Sequence, residues 1–462
     1  MVKILTDWSN EKVLVLGLGR SGISAAEYLA KRHAKVMLSE SGEANESRLA
    51  QAEKLKAQGI EVEFGGHSDA ACDFGNLVVV SPGISPSSDI IRKLEAKGKD
   101  IICDVELAAR DTEIKFIGIT GTNGKSTTTA LVSHILNNAG LKAPSCGNFG
   151  VPILDELEKQ PNFLVTEISS YQLHYCKTLA PYVAVWTNLT PDHIEWHGNL
   201  QNYTEAKQKL FANQQANTYA VLNADDPIVN EFKPPSQIFG FSVNTTMDAS
   251  VQCAFMKHGF LCYRINGKTK TLCHAEDLKI IGKHNLENAL AAVSVAAVLD
   301  IPAEKIIEGL KSFPGLEHRL EYVDTIDGVK YYNDSKGTNT NSTIKALEAF
   351  GAQKVILIAG GKDKHTPLDE LVQCIQQHAS DVILLGEAKE RFSRALSEAG
   401  FKNVQIAQSM EDAVEIASGM SKGPVVLSPA CASFDMFKDF EDRGRVFKNL
   451  VRTRVERMAT QR

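Results

Sequence analysis

The sequence predicts an α/β protein built from several parallel-sheet domains, and three observations carry that prediction. Short apolar runs of β type recur along the whole chain, among them Lys12–Leu16, Phe163–Glu167, Val183–Asn188 and Val355–Ala359. Each leads through a glycine-rich or polar turn into a segment with helical spacing, the alternation that gives parallel strands covered by helices. The 462 residues leave room for about three such domains, each able to bury its own core.

Composition narrows the function classes. The hydrophobic fraction of 43% and charged fraction of 23% are ordinary for a globular chain. A formal charge of −6 argues against a general nucleic-acid or membrane-surface binder, so any phosphate site must be built locally. Nine cysteines show neither a C-x-x-C pair nor zinc spacing, which fits a reducing compartment. The opening residues carry Lys3, Asp7, Glu11 and Lys12 and lack the apolar core of a signal peptide. The longest apolar run, Ala289–Leu299, contains a serine and is too short to span a bilayer. The expectation is a cytoplasmic protein without membrane insertion that works as a monomer.

Taken in order, the strand Lys12–Leu16 enters Gly17-Leu18-Gly19-Arg20-Ser21-Gly22, then a helix over Ile23–Arg32 and a second strand, Lys35–Leu38, ending at Ser39 and Glu40. This is G-x-G-x-x-G in a β-turn-α-β setting with an acid about 20 positions on, the pattern that places a nucleotide diphosphate on a helix N-terminus and a carboxylate near a ribose. By itself it points to NAD. A third strand, Leu77–Val80, leads into Ser81-Pro82-Gly83-Ile84, a loop at the strand end where ligands of such sheets bind. Ile101–Ala109 closes the segment, with a boundary near Asp111.

The next segment opens on Phe116-Ile117-Gly118-Ile119 and the turn Gly121-Thr122-Asn123-Gly124-Lys125-Ser126, followed by a helix over Thr127–Asn137. Glycines let backbone N–H groups converge on phosphate oxygens, the helix N-terminus adds its positive end, Lys125 can reach the β/γ-phosphates, and the Ser126 hydroxyl can sit on Mg²⁺. The strict G-x-x-x-x-G-K-[ST] spacing is missed, since its first glycine falls on Ile119, so the turn is a shortened variant. Gly147-Asn148-Phe149-Gly150 is a polar turn after the helix, and the strand Phe163–Glu167 ends in a carboxylate well placed to hold Mg²⁺. Val183–Asn188 runs into Leu189-Thr190-Pro191-Asp192-His193, which sets His193 beside the presumed phosphate site. Tyr203–Phe211 reads as a helix in which Lys207 and Lys209 both look like solvent-facing charges, and spacing does not choose between them. Short β-type runs with turns at Gly240, Asn244 and Gly267 predict a small antiparallel patch over about 236–273. Gly282-Lys283-His284-Asn285 precedes an Ala-rich helix with Asn288 in its first turns, and a helix cap is the plain reading of Asn285.

Phe313-Pro314-Gly315-Leu316 marks a second boundary. Beyond it, Val355–Ala359 leads to Gly360-Gly361-Lys362-Asp363-Lys364, Val382–Leu385 to Gly386, and Val425–Leu427 to Ser428-Pro429-Ala430-Cys431-Ala432-Ser433, another parallel sheet. The segments are thus 1–111, 112–314 and 315–462.

Five stretches together resemble the ATP-dependent Mur ligase family, whose members build the peptide stem of bacterial peptidoglycan. They are Gly121–Ser126, Glu167-Ile168-Ser169-Ser170, Asn188–His193, Gly315-Leu316-Glu317-His318-Arg319 and Asn333-Asp334-Ser335-Lys336-Gly337-Thr338-Asn339. The Gly17–Gly22 turn, the Ser81–Ile84 loop and Ser428–Asp435 are similar to the members that add D-glutamate to UDP-N-acetylmuramoyl-L-alanine. The resemblance covers nearly the whole chain and is weakest over 236–273. It implies an N-terminal Rossmann-like domain for the UDP moiety, a central P-loop ATPase domain and a C-terminal Rossmann-like domain that closes on the amino acid.

It further implies ATP, two Mg²⁺ sites and roles for particular residues. Gly121, Thr122, Asn123, Gly124, Lys125, Ser126, Thr127, Asn288, Arg319 and Asp334 would contact ATP. Gly19, Arg20, Ser21, Gly22, Glu40, Ser81, Asn148 and His193 would contact the UDP substrate, with Glu40 near the uridine. Lys336, Thr338, Lys364, Ser433, Phe434 and Phe440 would receive the glutamate, whose D configuration comes from the resemblance alone. Ser126 and Glu167 would hold one Mg²⁺. His193 and a carbamylated lysine would hold the other, in a Tyr-x-x-Ala-Lys context that falls on Lys207, with Lys209 as the second choice. Lys125, His193, Lys207 and Asn148 would form the catalytic set, Asn148 lying near the acyl carboxylate.

Competing readings leave parts of the chain unused. A folylpolyglutamate-synthase-like enzyme is expected to begin at its ATPase domain, a dehydrogenase gives Lys125 no task, and a nucleotide-switched binding protein gives the third segment none.

Overall fold

The computed structural model describes residues 8–244, 248, 250–420 and 423–461, so Lys3 and Asp7 lie outside the described residues. Three sheets gather into two compact units. The first unit holds the chain to Cys273 together with Glu287–Gly309, the second His274–Leu286 and the chain from Leu310. Among the described residues no helix is long and apolar enough to cross a membrane.

The N-terminal sheet runs in the order Glu61–Glu63, Lys35–Ser39, Lys12–Leu16, Leu77–Val80, Asp100–Ile102, all parallel. Val13 to Leu16 are buried, as a central strand covered on both faces requires. Glu61–Glu63 was not predicted, because a short edge strand bearing two glutamates has no apolar run to show. Leu77–Val80 is therefore the fourth strand in sequence, and the segment expected over Ile101–Ala109 resolves into the strand Asp100–Ile102 and the helix Asp104–Arg110.

The second sheet has nine strands, ordered Lys268–His274, Phe260–Ile265, Cys253–Lys257, Gln237–Ser242, Tyr219–Asn223, Val183–Trp186, Lys115–Thr120, Phe163–Glu167, Ser145–Gly147. Pairing is parallel from Ser145–Gly147 to Cys253–Lys257 and turns antiparallel at Phe260–Ile265. The predicted antiparallel patch is thus an extension of the main sheet. Gly240 lies inside a strand rather than in a turn, whereas Asn266 and Gly267 both take positive φ, the Asn-Gly hairpin chemistry. One continuous core, from Trp8 through Leu16, Ile168 and Trp186 to Val229, serves both sheets.

Two helices of this unit start earlier than their apolar periodicity. The first begins at Arg20 instead of Ile23 and the second at Lys125 instead of Thr127. Both are preceded by a glycine, Gly19 or Gly124, without a side-chain cap, so the usual Ser/Thr/Asp/Asn start cue is missing.

In the second unit a six-stranded sheet runs Glu321–Ile326, Val329–Asn333, Val425–Leu427, Val355–Gly360, Ala379–Leu385, Val404–Ile406. Only the first pair is antiparallel. The loops after Asn333, Leu427 and Gly360 leave the carboxyl ends of three adjacent strands, the end where open α/β sheets bind ligands.

Candidate active site

The turn Gly121–Lys125 is shaped by its glycines. Gly121 has φ +150 and a Cβ there would lie 1.9 Å from Thr187 Oγ1; Gly124 has φ +81 and a Cβ would lie 2.2 Å from Asn288 Oδ1. Neither position admits a side chain, which is why Asn288 can pack directly on the turn and accept from Thr128 Oγ1 at 3.2 Å. The segment 187–190 buttresses the turn from behind. Asn188 Oδ1 accepts Asn123 N–H at 2.8 Å, Thr187 Oγ1 donates to Asn123 O at 2.7 Å, and Thr190 N–H donates to Thr122 Oγ1 at 3.0 Å. Lys125 Nζ donates to the carbonyls of Gly121 (3.1 Å) and Thr122 (2.8 Å), so its charge lies over the mouth of the turn. Ser126 and Thr127 follow in the first helical turn, where the helix dipole favours anions.

Glu167 ends the neighbouring strand and is buried. Its Oε1 accepts Asn148 Nδ2 at 2.7 Å and its carbonyl accepts Asn148 N–H at 2.9 Å, while Oε2 is buried with no hydrogen-bond partner. An orphaned carboxylate oxygen beside a phosphate-type turn fits a cation ligand. Among the described residues no cluster of three or more His, Cys, Asp or Glu side chains could hold a metal. A divalent ion here would rely on the Ser126 hydroxyl, the Glu167 carboxylate and phosphate oxygens, the ligand set Mg²⁺ commonly takes.

Lys207 overturns the solvent-facing reading of its helix. It is 1% exposed, its Nζ donates to Gly121 O at 2.7 Å, and it lies 4.5 Å from the centre of the Tyr203 ring. Burial, reinforced by the nearby Lys125 charge, pushes its ammonium well below the ordinary lysine range, while Asp192 and Glu167 pull the other way. Lys209 instead donates to His174 O at 2.8 Å, away from the turn. His193 takes φ 53 at a helix start, stays exposed, and stands 4.9 Å from Tyr171 and 6.3 Å from Tyr203 between ring centres. Sequence reasoning missed His197, buried four residues on, whose Nε2 lies 2.9 Å from Ser170 Oγ and whose pKa is pushed down to about 4 by burial and then by neighbouring cationic groups.

The first glycine turn is tighter. Gly17 has φ +97, and a Cβ on Gly22 would lie 2.0 Å from Gly17 O. Glu40 Oε2 accepts Leu18 N–H and Oε1 accepts Gly42 N–H, both at 2.8 Å. Burial opposes ionisation of Glu40, and these two bonds outweigh it, holding the carboxyl below its ordinary range. Ser81 Oγ is buried without a partner beside the turn. Between this turn and the Asn148 loop lies a cleft of about 200 Å³ lined by Gly19, Arg20, Ser21, Ser81, Asn148 and Gln172, among others. Gln172, another residue the sequence reading missed, closes a capping box with Ser169, and that S-x-x-Q spacing was the available cue. Asn285 is no N-cap: it lies inside the helix Lys283–Val298 and donates to Ile281 O.

The remaining predicted residues lie in the second unit. Asp334 is buried, accepts Leu320 N–H at 3.2 Å and Ser428 Oγ at 2.7 Å, and burial raises its pKa to about 7; Arg319 beside it is exposed. Lys364 Nζ donates to Thr338 O at 2.9 Å, and Thr338 N–H donates to Lys336 O, so these three residues meet at the carboxyl end of the sheet. Ser433 is buried, Phe434 is 72% exposed, and Phe440 O accepts Ser335 Oγ. Arg443, also missed, is buried and donates to Ser335 O, Cys431 O and Ala432 O, tying these loops together. Its bonds to Ser335 span 108 positions, so no local pattern announces it.

Comparison with known proteins agrees along the whole chain. The family models of the Mur ligase MurD-like N-terminal domain, the Mur ligase middle domain and the Mur ligase glutamate ligase domain match residues 11–103, 119–296 and 318–431. A UDP-N-acetylmuramoylalanine–D-glutamate ligase of Pelotomaculum thermopropionicum is 38% identical over 97% of this chain and 99% of its own length. The enzyme of that name from Caldanaerobacter subterraneus is 40% identical over 96% and 98%. The crystal structure of UDP-N-acetylmuramate-alanine ligase from Thermotoga maritima superposes with a TM-score of 0.56 at 19% identity, covering 98% of this chain and 100% of that one, a likeness of fold.

Proposed function

The chain belongs to the Mur ligase family, and from that premise we propose that it joins D-glutamate to UDP-N-acetylmuramoyl-L-alanine with cleavage of ATP to ADP and phosphate. The observation that carries the reading is the group around Gly121: one lysine over the turn, a second buried on its carbonyl, and a strand-end carboxylate with a free oxygen. The three segments 1–111, 112–314 and 315–462 are read as the UDP-substrate, ATP and glutamate domains.

A carboxylate is a poor electrophile, so its oxygen first attacks the γ-phosphorus of ATP and ADP leaves. The amine of glutamate then attacks the acyl carbon, loses a proton, and the C–O bond breaks with its electron pair going to phosphate. The first step brings two anions together, so the protein's task is positioning and charge neutralisation. Lys125 neutralises the transferred group, and Asn148, itself held by Glu167, orients the acyl carboxylate. Ser126 and Glu167 would hold one Mg²⁺, and His193 with a carbamylated Lys207 a second. Bound there, Mg²⁺ supplies positive charge to the γ-phosphate and the approaching carboxylate. Burial favours a neutral Lys207 amine, the form that adds CO₂ and releases a proton to become an anionic oxygen ligand. Lys364, Lys336 and Thr338 would receive the glutamate side-chain carboxylate, with Ser433, Phe434 and Phe440 lining its pocket. Asn288, Arg319 and Asp334 would hold ATP; Gly19 to Gly22, Glu40, Ser81 and His193 the UDP substrate. The chain is taken to act as a cytoplasmic monomer.

The test is an amino-acid panel of D-glutamate, L-glutamate, L-lysine and meso-diaminopimelate with ATP and UDP-N-acetylmuramoyl-L-alanine. Phosphate release should require the UDP substrate and D-glutamate together. Release without an amino acid, or turnover of NADH, would remove the ligase reading.

A further inference from the structure

Gln172 lines the cleft beside the first glycine turn and is tied to a residue that does not line it. Asp104, first in the helix Asp104–Arg110, is 2% exposed. Its Oδ1 accepts Gln172 Nε2 at 3.0 Å and Val105 N–H at 3.0 Å, burial pushes its carboxyl above the ordinary carboxylate range, and Oδ2 is buried with no hydrogen-bond partner. A carboxylate buried with one oxygen unsatisfied is unfavourable in itself. The bond to Val105 serves Asp104's own helix, where an acid in the first turn suits the dipole. The bond to Gln172, 68 positions away, serves no local need. Gln172 meanwhile commits Oε1 to Ser169 N–H and Oγ, so both ends of its amide are held and the turn after Glu167 cannot rotate freely.

We propose that Asp104 is a positioning residue: through Gln172 it fixes the Glu167–Gln172 turn against the helix that follows the N-terminal sheet, so that a substrate anchored at the first glycine turn presents its carboxylate to Asn148. This rests on the ligase reading above. Reacting groups must be held close to their attacking geometry, and a displacement of about 1 Å costs on the order of a hundredfold in rate.

The test uses the full chain with Asp104→Ser and Asp104→Asn. Serine keeps a hydroxyl for Val105 N–H and is too short to reach Gln172; asparagine keeps the Oδ1 acceptor for Gln172. The readouts are the ligation kcat, the KM for ATP, UDP affinity by calorimetry, and thermal stability. The expected result for Asp104→Ser is a fall in kcat of roughly ten- to a hundredfold, with UDP affinity and the ATP KM within about threefold of wild type and asparagine restoring most of the rate. A serine variant with wild-type kcat overturns the proposal. So does a parallel loss of stability, UDP affinity and rate in both variants, which would make Asp104 a fold determinant only. If the wild-type protein itself shows no D-glutamate-dependent phosphate release, the ligase reading fails, and this inference with it; an active wild type beside an indifferent serine variant sinks the inference alone.

Discussion

In the turn Gly17–Gly22 the carboxylate of Glu40 accepts the N–H of Leu18, whereas in the turn Gly121–Lys125 a lysine lies across the carbonyls and a second lysine is buried against one of them. Both turns join a parallel strand to a helix capped by glycine, and both belong to the first unit. Their backbones alone would give them similar anion affinity. Besides Lys125, what separates them comes from outside the turn: Glu40 from just after the next strand of the same sheet, Lys207 from a helix 86 positions away. With an acid inside it, the first turn is the one proposed to hold the UDP substrate. The second, with Lys125, Lys207 and the unpartnered Glu167 oxygen, is the one proposed to move a phosphoryl group. A G-x-G-x-x-G pattern reports the backbone and says little about which of these tasks the side chains will give it.

The largest effect that separates the turns is expected from Lys125→Ala. Removing a charge aimed at the transferred group should cost on the order of 3–4 kcal/mol of barrier, a loss of a hundredfold or more in kcat, while UDP affinity measured by calorimetry stays as it was. Parallel losses of rate and UDP affinity would mean that the two turns act as one site.

Lys207 comes next, because it touches only the second turn. As a carbamate it is an anionic ligand, so Lys207→Ala and Lys207→Arg should both lose most turnover, and small carboxylic acids should restore part of the alanine variant's rate. An active arginine variant would return Lys207 to the role of a buried cation. In CO₂-free buffer the same residue should leave a trace in stability. Its folded pKa lies below the ordinary value of about 10.4, so between the two the unfolded chain holds more protons and stability rises with pH across that window. Thermal melts of Lys207→Met should lose that slope.

How much of this was legible follows from the range over which each feature is encoded. The strand ends, both glycine turns, Lys125 and Glu167 could be read because each is set by residues within a few positions of it. The starts of the helices at Arg20 and Lys125 were read late, since a glycine cap leaves no side-chain cue and the apolar periodicity begins a turn further on. Lys207 and Lys209 could not be told apart from spacing, because burial of one depends on the Gly121 carbonyl reaching its helix across the sheet. Asp104 and Arg443 were invisible for the same reason: their partners Gln172 and Ser335 are brought to them only by the tertiary fold.

The smallest effect concerns the first turn alone and compares two of its glycines. At Gly22 a Cβ would lie 2.0 Å from the Gly17 carbonyl oxygen, a backbone atom with nowhere to go, so Gly22→Ala should cost roughly 1–3 kcal/mol of stability. At Gly19 φ is −79 and a Cβ would meet nothing within 4 Å. Alanine there gains about 0.4–1 kcal/mol by restricting the unfolded chain and gives back a comparable amount because it is a poor helix cap. Thermal stability of Gly19→Ala should therefore stay close to wild type. Yet Gly19 lines the cleft, and the added methyl group would point into space that a diphosphate approaching the helix N-terminus must use. The KM for the UDP substrate should rise, with that for ATP unchanged, and the stability measurement ensures that the rise is not a folding defect. A Gly19→Ala enzyme with wild-type UDP-substrate KM would show that the diphosphate does not approach this backbone, and the comparison between a holding turn and a reacting turn would lose its first member.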